Sequence, residues 1–439
     1  MHKFLRTLFI AFAAVSLVFC TPVAETEEET GQEILRIGSI AEIDSTLTSY
    51  QELSGYVSGL DGFIYDDSLG CRKYEILEKV LDDFNVPVAP TADIDSLARL
   101  FHHAKVLMDS IIVLDTHCDF PEAAYYRPDR GYTIDESQSR CQVSIAKMDQ
   151  GHASAQYLAL WLNPRGVNQK DPDNVSEAPA ELWKFLEFTE KHLAGRADLC
   201  GVARSRDEIL ALKKQGKKAF LLGLENGFFA GDDLGIIKKL YDRGITYITL
   251  CHYGDNQICS SSNKSENPSV GLTEFGKEFV REMNRQGVVI DLSHTSFKTQ
   301  RDVLELSTAP VVFTHSGASS VWKNPRNVDD ETLRLLASKG GVIQIYLVQN
   351  FMGSGDTSKV GLKQMVDHID YCVKLIGADH VGVGMDFDGG GGGVGFNGVN
   401  DAINLTMELL KLGYSDEDIT AIWGENYLRV LSEVQSRRI

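Results

Sequence analysis

Residues 111–119 read IIVLDTHCD. Four strand-forming residues, Ile111 to Leu114, run directly into Asp115, Thr116, His117, Cys118 and Asp119, so an apolar run ends in groups able to ionise or to bind a metal. The same design recurs in ASAQYLALWL (153–162), AFLLGLEN (219–226), YITLCHYGDN (247–256), GVVIDLSH (287–294), PVVFTHSG (310–317), GVIQIYL (341–347) and HVGVGMDFDG (380–389). These runs are almost wholly apolar rather than alternating, as strands buried on both faces of a parallel sheet are. Helical periodicity fills the intervals at 176–195, 233–244, 272–286, 297–307, 329–338 and 360–376, and continues at 400–412 and 416–435. Eight strands alternating with helices predict an α/β chain folded as a (β/α)8 TIM barrel. A doubly wound open sheet is the alternative, but no GxGxxG or GxxxxGK[ST] follows the first strand, which weakens its nucleotide-binding form.

In a barrel, all strand C-termini meet at one rim, where catalytic groups sit. Here those ends carry His117 and Asp119, Glu225, His252 with Asp255 and Asn256, Asp291 and His294, His315, and Asp386 with Asp388. The chain has 11 histidines, and four of them lie at such ends. A lone histidine there is more often capped or solvated than a ligand. Four histidines, several aspartates and a glutamate on successive ends point to a metal site. On an extended strand residues i and i+2 share a side, so His117 and Asp119 can bind one ion. His294 and His315, from neighbouring strands, can bind a second. Glu225 has two oxygens and can bridge ions ~3.5–4 Å apart, the spacing of two-metal hydrolytic sites. Nitrogen and carboxylate donors suit two Zn2+, with Mn2+ or Co2+ also accommodated. Water between two such ions loses a proton near neutral pH. Cys118 sits between two ligands and should point away from them, as packing. The other histidines are assigned to structure or surface, His102 and His103 to a helix before the barrel.

The chain has 439 residues, 43% apolar and 24% charged, with a net charge of −19. It can bury a core, and its charge argues against nucleic acid or an anionic membrane surface as partner. Residues 1–20 read as an export signal, because a basic start precedes an apolar run (8–19) too short to span a bilayer. LVFC (17–20) resembles a lipobox, which would place a lipid on Cys20 and leave the protein exported and tethered to a bacterial cell envelope. Phe19 departs from the small residue usual there, and an ordinary signal cut near Ala24 is the alternative. Residues 21–33 then form an acidic tether, residues 34–95 an N-terminal extension of unassigned role with a helix at 72–84, and residues 96–439 the barrel. Beyond Cys20 seven cysteines remain, an odd number that leaves at least one thiol free.

The motif set DTHCDFP (115–121), LLGLENG (221–227), ITLCHYGDNQICSS (248–261), GVVIDLSHTS (287–296), PVVFTHSGASSVWKNPRNV (310–328), HVGVGMDFDG (380–389) and GENYLRVL (424–431) resembles the membrane (renal) dipeptidase family of the amidohydrolase superfamily. The resemblance runs in order over residues 100–435. It implies a dinuclear zinc dipeptidase that cleaves dipeptides, and leaves open whether a D-residue is accepted at the C-terminal position. It implies that His117 and Asp119 hold one zinc, His294 and His315 the other, and Glu225 both. It further implies that His252 contacts the substrate and the tetrahedral intermediate, that Arg326 binds the substrate carboxylate, and that Asp386 handles protons, with Asp388 close enough to blur that last assignment. Family analogy alone suggests a homodimer. The rivals are a hydrolase of another small amide or lactam, and a surface protein that binds on the same barrel without cleaving. The five consecutive glycines at 389–393 fit a mobile loop over the site or a structural turn equally well.

Overall fold

The computed structural model describes residues 94–439 except 137, 138, 165, 354 and 355. The export signal, Cys20, the acidic tether and all but the last residues of the N-terminal extension lie outside the described residues. A helix at Ile94–Ser110 opens the described chain. Ten strands follow: β1 (Leu114–Asp115), β2 (Ala155–Trp161), β3 (Cys200–Val202), β4 (Lys218–Glu225), β5 (Ile245–Thr249), β6 (Val289–Asp291), β7 (Val312–Ala318), β8 (Asn327–Val328), β9 (Val342–Ile345) and β10 (Val381–Val383). All pair in parallel, in the order β1-β2-β4-β5-β6-β7-β9-β10. These eight are the eight apolar runs of the sequence. Past the regular ladders, Thr116 N donates to the Val383 carbonyl at 3.2 Å and Asp119 N to the Phe387 carbonyl at 2.8 Å. Those bonds join the first strand to the last, giving the nearly closed barrel that excludes the open sheet.

The core forms inside the barrel because alternate residues of each strand point inward. Leu114, Ala155, Tyr157, Ala219, Leu221, Tyr247, Val289, Val312 and Val342 make one buried cluster at its lower end. The same faces then turn polar toward the strand C-termini. Glu225 of β4 pairs with Thr249 of β5, and Thr249 pairs with Asp291 of β6. Gly223 sits one inward step below Glu225, and a Cβ there would lie 2.1 Å from the Tyr247 ring. Glycine is therefore what lets Tyr247 cross beneath Glu225.

Several helix starts behind the rim are fixed by side-chain caps. Thr273, Ser296 and Asp329 each accept a backbone N–H of the first turn. Two of these caps stand right after rim segments, and so set the lengths of the loops behind His294 and Arg326. The last helix departs from the predicted 416–435. It runs as Asp416–Thr420 and Asn426–Ser436 around a wider π turn at Ala421–Glu425. A Cβ on Gly424 would meet the Ile112 carbonyl at 2.8 Å, so this turn presses its backbone onto the chain entering β1. Among the described residues, no helix is long and apolar enough to cross a membrane.

Candidate metal centre

β1 ends its ladder at Asp115, earlier than an extended HxD motif requires. Pairing resumes at Cys118, which bridges to Phe387, and Asp119 then precedes the helix Phe120–Tyr126. His117 and Asp119, flanking the bridged residue, reach the same space: His117 Nε2 lies 3.8 Å from Asp119 Oδ2. Cys118 points elsewhere, its thiol donating to Asp388 Oδ2 at 3.4 Å.

Glu225, at the end of β4, stands among the histidines and is 1% exposed. Its oxygens divide between two groups. Oε2 lies 3.4 Å from His117 Nε2. Oε1 lies 3.1 Å from His294 Nε2 and 3.4 Å from His315 Nε2, and these two ring nitrogens face one another at 2.9 Å. His117 Nε2 and Asp119 Oδ1 are buried without a hydrogen bond. Buried nitrogen and oxygen donors converging without partners of their own are what a metal ion satisfies. Among the described residues, three donor sets fall within ligand range: His117, Glu225 and His315; Glu225, His252 and His294; His117, Asp119 and Asp386. The residues present therefore fit a metal centre.

Electrostatics agree with that fit. Burial lowers the proton affinity of His117, yet Glu225 and Asp119 overcome it and hold the ring well above its usual pKa. The site draws positive charge to His117 Nε2, and a metal ion can take the place of a proton there. Burial pushes His294 and His315 well below the usual value, and the Arg326 charge adds to that, which favours the neutral ring that ligates. Burial lifts the Asp119 carboxyl to about 6. It raises Asp386 well above the carboxylate range against the pull of His117, with Asp119 and Glu225 adding to the push.

The backbone is bent to make this arrangement. His294, Asp386 and Asp388 have φ of 67°, 63° and 64°, left-handed values that non-glycine residues seldom adopt and that cluster at functional sites. Hydrogen bonds hold the strain: Ser262 N donates to the His294 carbonyl at 2.7 Å, and Gly391 N to the Asp386 carbonyl at 2.7 Å. In the glycine run 389–393 every residue but Gly390 lies against a close neighbour. A Cβ at Gly389 would sit 1.8 Å from Asp119 Oδ2, and one at Gly391 would sit 2.0 Å from the Met385 carbonyl. Gln142 binds the run from the side, donating to the Gly391 carbonyl at 2.8 Å and accepting from Asp388 N at 2.7 Å. Asp388 Oδ1 accepts from Gln142 N at 2.8 Å. Asp386 thus joins His117 and Asp119, while Asp388 is turned to Gln142 and Cys118.

His252 Nε2 is 3.9 Å from Glu225 Oε1, and its side chain, at 13%, is the most exposed of the four rim histidines. Its ring packs against Trp161 and His294 with centroids 5.4 Å and 4.1 Å away. Arg326 is 3% exposed and donates from Nη2 to the His315 carbonyl at 3.1 Å. Asp255 and Asn256 serve the loop instead. Asp255 accepts from Ser261 N and Glu266 N, while Asn256 accepts from Ile258 N and Cys259 N. Sequence reading passed over Tyr247, whose hydroxyl lies 3.1 Å from His117 Nδ1, and Gln142. The inward parity of β5 could have flagged Tyr247. Nothing around Gln142 would have done so, because its partners are more than two hundred residues away.

The model of the membrane dipeptidase family (peptidase family M19) matches residues 101–438. Dipeptidase verJ of Clonostachys rogersoniana is 32% identical over 338 residues, covering 76% of this chain and 86% of that one. Dipeptidase ataJ of Aspergillus terreus is 29% identical over 357 residues, covering 76% and 87%. Among solved structures, the probable dipeptidase PvdM from Pseudomonas aeruginosa matches with a TM-score of 0.70 at 28% identity, over 77% of this chain and 99% of that one. A metallo peptidase from Rhodobacter sphaeroides, solved with a phosphinate mimic of the dipeptide L-Ala-D-Ala, shares the fold with a TM-score of 0.65 at 23% identity, over 74% and 99%.

Proposed function

This chain belongs to the membrane dipeptidase family and is a metallo-dipeptidase, and we propose that it works with two zinc ions, one held by His117 and Asp119, the other by His294 and His315, and both by Glu225. The observation that carries this reading is the division of Glu225, with Oε2 toward His117 and Oε1 toward His294 and His315. When bound, the ions supply Lewis acidity, acidifying a water and polarising the scissile carbonyl.

The chain's own residues do the rest. Arg326 offers a planar fork to the substrate's free carboxylate, which selects dipeptides over longer chains. His252, the most exposed of the four rings, faces the substrate and stabilises charge on the tetrahedral oxygen. Asp386 takes the proton of the attacking water and returns it to the leaving amine. Its raised proton affinity suits a group that must hold a proton between two steps, and a cation at His117 and Asp119 would temper that rise. Asp388, engaged by Gln142 and Cys118, is left as a support.

A panel of L-L and L-D dipeptides, assayed with and without chelator beside metal analysis, tests the reading. Two zinc ions per chain and hydrolysis that chelator abolishes and zinc restores are expected. Full activity in metal-free protein would end the metal reading; turnover of small amides or lactams but no dipeptide would move the substrate. We also propose lipid attachment at Cys20 of an exported chain. A Cys20→Ala variant should shift from the membrane to the soluble fraction and lose labelling by a fatty-acid probe; unchanged labelling would remove Cys20 as the anchor.

A further inference from the structure

Beneath the rim lies a buried carboxylate that none of the roles above uses. Asp291, on β6, is fully buried. Its Oδ1 accepts from Ser293 N at 3.0 Å, Ser293 Oγ at 2.8 Å and Thr314 N at 2.8 Å. Its Oδ2 accepts from Thr249 Oγ1 at 2.5 Å and Thr314 Oγ1 at 2.7 Å. A buried carboxylate needs such donors. One of them continues onward: Thr314 Oγ1 lies 2.9 Å from His315 Nδ1.

The hydroxyl of Thr314 has one hydrogen, and its two near partners are Asp291 Oδ2 and His315 Nδ1, Ser293 Oγ standing farther off at 3.4 Å. If it goes to Asp291, Thr314 Oγ1 can only accept from His315, and the imidazole proton must sit on Nδ1. His315 Nε2 is then a lone pair facing Glu225 Oε1 and His294 Nε2. If the hydroxyl hydrogen goes to His315 instead, the proton moves to Nε2 and blocks the nitrogen that faces the metal centre. The carboxylate of Asp291 decides between the two. We propose that Asp291 is a positioning residue that acts through Thr314 to fix the His315 tautomer, and so sets the affinity of the ion His315 holds. This rests on the reading of His315 as a ligand.

Asp291→Asn carries a directional consequence. Two backbone N–H groups, of Ser293 and Thr314, point at Oδ1, so the amide must keep its oxygen there. Its NH2 then faces Thr249 and Thr314 and donates to the Thr314 hydroxyl. That hydroxyl hydrogen is released toward His315 Nδ1, and the ring proton is driven to Nε2. Thr314→Val removes the link altogether, and Thr314→Ser keeps it.

The test is zinc affinity by competition with a chromophoric chelator, together with nitrogen-15 NMR of histidine-labelled protein, which reads the protonated ring nitrogen directly. Wild type and Thr314→Ser should bind alike, with His315 protonated at Nδ1. Asp291→Asn and Thr314→Val should each weaken the ion by ~10–100-fold, as losses behind a ligating histidine do. The double variant should be no weaker than either single one, because both cut the same chain. Asp291→Asn binding within twofold of wild type, with the Nδ1 proton in place, overturns the proposal. If Asp291→Asn does not fold, Thr314→Val against Thr314→Ser decides it, equal affinities overturning it. His315→Ala is the control for the underlying reading: if it keeps wild-type affinity, His315 is not a ligand and the relay falls with it.

Discussion

Replacing Glu225 with glutamine should, on the proposed two-zinc reading, lower zinc content from two ions per chain to one or none and reduce kcat/KM for dipeptides by at least ~10³-fold, about 4 kcal/mol of transition-state stabilisation. The reason lies in its two oxygens. Oε1 faces the nitrogens of His294 and His315, and Oε2 faces that of His117. A carboxamide has the same shape but one oxygen, and it carries no charge. Whichever way it turns, its NH2 points a donor at one of the two groups, where a metal needs an acceptor. The residue is buried and its position is held by the β4–β5 register, so it cannot swing aside. Metal analysis and steady-state kinetics on the same preparation check both halves. Two ions retained, with activity within tenfold of wild type, would take Glu225 out of the bridge.

The fold was legible because each barrel strand is apolar on both faces, and all eight runs became neighbours in one parallel sheet. Their ends were overextended. The run 111–119 contributes a ladder of two residues, and 380–389 a ladder of three, because the chain bends into the site where its polar residues begin. Two short strands escaped notice. Cys200–Val202 pairs with the first half of β4, whose later half pairs β5, and Asn327–Val328 pairs with the end of β7. Segments of three and two residues carry no periodicity to read.

The rim residues were legible for a related reason: polar side chains stand out against apolar strands. Supporting groups do not stand out. Tyr247 looks like a core aromatic, Thr314 like a β-branched strand residue, and only their distances to His117 and His315 give them roles. The glycine run was ambiguous because glycine serves mobility and tight packing equally. Near-contact of Gly389 with Asp119 and of Gly391 with the Met385 carbonyl assigns those two to packing, while Gly390 stands in open space with a φ of 137° that favours glycine. Asp386 and Asp388 could not be told apart two residues from one another. The left-handed backbone at both, and the Gln142 clamp on the second, separate them in space.

Arg326→Ala should reduce kcat/KM for dipeptides with a free C-terminal carboxylate by ~10–100-fold, the range for losing a hydrogen-bonded charged partner, while C-terminal amides of the same dipeptides change by less than about threefold. The guanidinium is already set in place. It lies 5.7 Å from the Tyr346 ring and 5.9 Å from that of Phe351, and it donates to the His315 carbonyl. The neighbouring Asn327 ties the loop down, donating to the carbonyls of Trp322 and Phe351 and accepting from the Tyr346 hydroxyl at 2.7 Å. Arg326 Nε is buried without a hydrogen bond, which leaves a donor for an incoming anion. Truncation also opens a cavity and removes a charge that helps keep His252, His294 and His315 neutral, so some activity should fall for every substrate. That is why the ratio between acid and amide substrates is the measurement: damage to packing or to the metal centre lowers both equally and leaves the ratio unchanged. Arg326→Lys should recover part of the ratio, because it restores the charge without the two-pronged geometry. An equal loss on acids and amides, with zinc content intact, would remove Arg326 from carboxylate recognition.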